Sequence, residues 1–165
     1  SLMPVAAMAM AFSTFVSQNK GANQGLRIRK AIKMVYLYDV AVTVVLTLVM
    51  WLWAPALIKW ISSSSEPVLL DNGASYLRFV GPFYAVLGVL LATRFALQGL
   101  GQKLLPLISS IIEFFGKIIF VVILIPRFAY TAVIFCEPVI WCIMAVQLVY
   151  TFYSDAYIKS FKEKG

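Results

Sequence analysis

Charged side chains inside long apolar runs are the residues of this chain most able to do chemistry. Four stand out: Arg94, Glu113, Lys117 and Glu137. Each costs at least about 2.5–3.5 kcal/mol to place at the centre of a membrane helix, so each needs a partner or a purpose. Glu113 and Lys117 are spaced i, i+4, with the acid N-terminal to the base. That spacing pairs them along one helix face, either as a structural salt bridge or as part of a transport pathway. Glu137 has no basic residue within four positions. An unpaired acid in such a run takes up a proton or a cation, the behaviour of a coupling site, although an architectural role near the outer interface is equally compatible. Pro138 follows it, removing a backbone donor and freeing a carbonyl one turn back. Arg94 lies about one turn before Gln98, where it lines a pathway or snorkels to the interface. Asp39 lies near the inner end of another run and reads as a marker of that interface.

Other chemistries find little footing. The chain has no histidine, the commonest general base and metal ligand. Cys136 and Cys142 are six apart in one apolar run, a spacing that turns them to different helix faces, so they read as inert thiols and no metal site is expected. Gly99-Leu100-Gly101 lacks the third glycine and the preceding strand of a dinucleotide loop and reads as a helix stop. Ser109 and Ser110 have no evident base. Neither an enzyme nor a resident cofactor is expected.

The elements that must position these residues are membrane helices. Hydrophobic residues make up 62% of the 165 and charged ones 13%, against roughly 45–50% and about 25% in ordinary soluble domains. The runs at about 1–17, 34–58, 74–97, 104–126 and 130–153 predict five spanning helices in an all-α polytopic bundle. Residues 40–58 alone are nineteen uncharged positions, enough to cross about 30 Å of hydrocarbon. The segment 18–33 reads as a polar connection, and Ser62 to Pro67 as a loop. Gly81-Pro82 and Gly88 interrupt the third run, as helices lining transport cavities often are interrupted.

The net charge of +7 is not the footprint of a nucleic-acid binder, because its distribution follows a membrane rule. Nine Lys/Arg fall in 18–33, 98–103 and the tail, against Lys59 and Arg127 on the other side. This bias places those segments and the C-terminus in the cytoplasm and the Ser-rich loop outside, in a multi-pass protein of the cell membrane. Trp51, Trp53 and Trp60 suit an outer interfacial belt or a lipid-facing surface. The chain opens on Ser1 in an apolar run with no basic region before it, so a signal peptide is not expected and a truncated start is.

Several segments together carry a resemblance. Phe15-Val16-Ser17-Gln18-Asn19-Lys20-Gly21-Ala22 is similar to the F-x-x-Q-N-x-G-A segment of multidrug and toxic compound extrusion (MATE) transporters, and Arg27-Ile28-Arg29-Lys30 follows as it does there. Tyr76-Leu77-Arg78, Leu97-Gln98-Gly99-Leu100-Gly101 and Pro106 resemble the next span of that family. Glu113 to Lys117, as E-x-x-G-K, and Glu137-Pro138-Val139-Ile140-Trp141 resemble its last two helices. The resemblance implies two six-helix lobes about a cavity, with this chain matching the C-terminal lobe from roughly its second helix onward and the N-terminal lobe absent. It implies antiport of drugs or organic cations against H+ or Na+ as the coupling ion, with the bilayer and the other lobe as partners. Two alternatives stay open: a flippase for lipid-linked oligosaccharides from the same superfamily, and a non-transporting remnant or assembly partner.

Overall fold

The computed structural model describes residues 3–62 and 66–161. Among these the regular structure is helical throughout. Helix α1 is Met3–Gly21 and α2 Gly25–Ser62. Helix α3, Pro67–Val80, runs through a 3-10 turn at Gly81–Phe83 into α4, Tyr84–Gly99. Helix α5, Leu104–Ile119, passes through a π-helical turn at Phe120–Leu124 into the short α6, Ile125–Phe128. Helix α7 is Tyr130–Ser154 and α8 Ala156–Ser160. Serines 63–65 of the expected outer loop, and Lys162 and Lys164 of the basic tail, lie outside the described residues.

Among the described residues, four stretches are long and apolar enough to cross a membrane: 25–61, 70–99, 104–128 and 130–154. Helix α1 joins the same bundle, but its last turns carry Ser17, Gln18, Asn19 and Lys20, so less of it is apolar. Its Val5, Ala9, Phe12, Val16 and Asn19 form one buried stripe at helical spacing, packed chiefly on α4. Many other large apolar side chains face outward, including Leu37, Val45, Trp60, Phe114 and Val146. A membrane bundle presents such a surface, because the bilayer rather than water is its solvent.

Two boundaries differ from the sequence reading. The segment 18–33 is not an open connection: the chain turns at residues 22–24, with Asn23 at φ 55, and α2 begins at Gly25. Hydropathy marks where the bilayer begins, whereas Arg27, Arg29, Lys30 and Lys33 are good helix formers that continue the helix beyond it. The third run starts at Pro67, a residue suited to the first helical position, rather than near residue 74.

Proline explains the interruptions. Pro82 lies in the 3-10 turn. Pro55 cannot donate to residue 51, and Trp53 is non-helical there at φ −116. Pro126 likewise leaves residue 122 without its partner, and the preceding turn widens to π geometry. Ala129 then reverses the chain at φ 46, ψ −123.

Helix α2 runs antiparallel along the whole α3–α4 unit. Ile58 packs on Gly73, Thr47 on Gly81 and Asp39 on Gly88. Between and beyond them the Trp51 indole donates to the Arg78 carbonyl at 3.1 Å, and the Tyr36 and Thr93 hydroxyls meet at 2.7 Å. Three glycines, seven or eight positions apart, thus let two helices approach closely across most of the bilayer.

Candidate functional site

Glu113, Lys117 and Glu137 come together between α5 and α7. Lys117 Nζ lies 2.8 Å from Glu113 Oε1, the i, i+4 pair, and 3.3 Å from Glu137 Oε1. The expectation that Glu137 is unpaired is therefore corrected: its base comes from the adjacent helix, where sequence spacing does not reach. Gly116 allows the approach, since a Cβ there would stand 3.1 Å from the Ile140 side chain of α7. By helical rise Glu113 and Lys117 lie about 14 and 20 Å along α5, near mid-span, and Glu137 about 10 Å into α7. The three side chains are each about one-third to two-fifths exposed on this chain (34%, 42% and 32%). Two carboxylates share one ammonium, so the cluster carries one net negative charge at membrane depth. Pro138 is buried beside it within α7.

Arg94 does not join this cluster. Its guanidinium donates to the Ser110 hydroxyl, tying α4 to α5 one turn before Glu113. Ser110 and Ser109 in turn donate to the Pro106 carbonyl. Cys136 and Cys142 are free thiols, half-buried rather than fully enclosed.

The family-like segment Gln18, Asn19, Gly21 and Ala22 lies at the end of α1 and the turn that follows it. Asn19 is buried and its amide donates to the Phe15 carbonyl at 2.8 Å. Ala22 N–H returns to the Gln18 carbonyl and Gln24 N–H to that of Asn19. Lys20 donates to the Leu100 carbonyl and Ser17 Oγ to that of Gly99 at 3.1 Å, so α1 caps the open end of α4. A Cβ on Gly99 would stand 2.5 Å from the Ser13 carbonyl oxygen, which explains glycine there. On the same side of the bundle, Asp155 caps α8 and accepts from Gln102, while Arg29 donates to the Ile158 carbonyl at 3.2 Å.

One residue read only as an interface marker proves more demanding. Asp39 is 1% exposed, and neither carboxylate oxygen has a hydrogen-bond partner. Its burial follows from Gly88, forty-nine positions away, a relation that no local periodicity reveals.

Among the described residues, helices with four membrane-length apolar stretches define a multi-pass helical membrane bundle. Residues 1–124 match the MatE family model, and the chain belongs to that family, whose members are transporters rather than enzymes. Neither the curated proteins nor the solved structures give a significant match.

Proposed function

We propose that this chain forms part of the C-terminal lobe of a two-lobe antiporter in the cell membrane, which exports drugs or organic cations in exchange for H+ or Na+. The observation that carries the reading is the Glu113–Lys117–Glu137 cluster: one ammonium between two carboxylates leaves one negative charge inside an apolar span. A cation from either side of the membrane can neutralise that charge. When substrate and coupling ion compete for one acid, occupancy by one expels the other, and rocking of the lobes turns competition into exchange. The cytoplasmic placement of the C-terminus belongs to the same reading and rests on the distribution of basic residues.

The test is efflux from vesicles holding the full-length transporter, normalised to inserted protein. Glu137→Gln keeps size and hydrogen bonding but removes the titratable charge. The reading expects export to lose its dependence on pH or sodium. Wild-type ion dependence in the variant makes Glu137 an anchor for Lys117 and moves coupling elsewhere.

A further inference from the structure

The polar stripe of α2 is a second and more enclosed feature. Asp39, Thr43 and Thr47 lie at successive turns of one helix face packed against α4 and the 3-10 turn before it; Asp39 and Thr43 are buried and Thr47 partly so. Four of their oxygens lack any hydrogen-bond partner: both of Asp39 and the hydroxyls of Thr43 and Thr47. Two threonines elsewhere in the bundle behave differently. Thr93 and Thr151 each donate to the carbonyl one turn back, as threonine in a helix ordinarily does. Asp39 is held tightly: a Cβ on Gly88 would lie 2.9 Å from its Cβ and 3.3 Å from Oδ2. It stands about 16 Å from the end of α4 at Gly99, well within the span.

We propose that Asp39 is a proton-binding site of this transporter, and that its proton is one that export exchanges. The proposal rests on the antiport reading above but uses different residues. An isolated carboxylate in low-dielectric surroundings is costly, and binding H+ converts it to a neutral acid. The enclosed position favours a proton over a larger ion. Asp39 and Thr43 offer three side-chain oxygens, whereas a hard divalent cation gathers six or more ligands, and the described residues contain no acidic, histidine or cysteine cluster for a metal.

No neighbouring charge neutralises Asp39 directly. On α2 itself Tyr36 lies one turn before it, bonded to Thr93, with Tyr153 of α7 close by. On α4 the charged residue is Arg94, engaged with Ser110. On α3 Asp71, Tyr76 and Arg78 pack at the level of Trp51 to Ile58, more than three turns away along α2. Lys20 of α1 is bound to Leu100. On α8, Tyr157 and Lys159 pack at the Arg29 end of α2, and Asp155 caps that helix.

The test is infrared difference spectroscopy of the full-length protein in liposomes, between acid and alkaline pH, paired with proton-driven export of an organic cation. The expected result is a pH-dependent carboxylic-acid band that disappears in Asp39→Asn, together with an export rate whose pH dependence flattens at least tenfold. A band unchanged by Asp39→Asn, or suppressed in the wild type by sodium at constant pH, overturns the proton site. A lost band with export still fully pH-dependent overturns the coupling role. Should Asp39→Asn fail to insert, Asp39→Glu keeps the acid and must move the band, and an unmoved band again overturns the site. Wild-type export with no dependence on a proton gradient, while the Asp39 band is present, marks failure of proton antiport and leaves the binding site standing.

Discussion

Lys117 Nζ lies 3.3 Å from Glu137 Oε1 on the neighbouring helix, and the same ammonium lies 2.8 Å from Glu113 Oε1 on its own. Lysine is thus the shared member of the cluster, and its loss is the most damaging. Lys117→Met leaves two like charges facing each other at membrane depth, where each unpaired charge costs about 2.5–3.5 kcal/mol. The expected order of inserted protein is wild type, then Lys117→Arg, then Glu113→Gln and Glu137→Gln, then Lys117→Met. Membrane-fraction immunoblots read that order, and equal levels for all variants contradict a shared pair.

Exchanging Glu113 and Lys117 tests the same geometry from the other side. The intrahelical pair survives the exchange, whereas the interhelical contact is replaced by Glu facing Glu137. Insertion of the double variant is therefore expected to fall between wild type and Lys117→Met. Full recovery to wild-type levels shows that the interhelical contact contributes nothing measurable.

Gly99→Ala is expected to destabilise the contact between α1 and α4 by about 1–3 kcal/mol, the usual cost of forcing extra volume into a packed site. The added methyl meets the Ser13 carbonyl oxygen at 2.5 Å and Val16 Cβ at 2.9 Å, and backbone cannot swing aside as a side-chain tip does. Gly21→Ala, where no atom lies within 4 Å, is the control. Thermal unfolding in detergent is expected to separate the two variants, and a shared midpoint contradicts the close approach.

Orientation is checked by cysteine labelling after Cys136 and Cys142 are replaced. Val68 and Ser160 are both exposed on the structure, at opposite ends of the bundle. A membrane-impermeant thiol reagent added to intact cells is expected to label Val68→Cys and not Ser160→Cys. The reverse pattern inverts the proposed topology.

What was legible in the sequence follows from how far each signal reaches along the chain. The pair Glu113–Lys117 was legible because i, i+4 neighbours share a helix face. The break at Gly81–Phe83 was legible because proline acts locally. The partner of Glu137 was not, because it lies on another helix and the register of α5 against α7 is set by packing at Gly116 and Ile140. The burial of Asp39 was not legible for the same reason. Its position in the sequence suggests an edge, while the contact with Gly88 places it in a closed seam. The start of α2 was misplaced because apolarity reports the bilayer and the basic residues of the first turns simply continue the helix.

Export driven by an ion gradient is the most direct measure of the central claim. Full-length protein is reconstituted in liposomes, and movement of a fluorescent organic cation is followed under an imposed proton gradient, an imposed sodium gradient or neither. The account predicts transport against the cation's own gradient under at least one of the two, abolished when that gradient is collapsed by an ionophore. Cation movement that only runs down its own gradient, identical with and without either ion gradient, contradicts it.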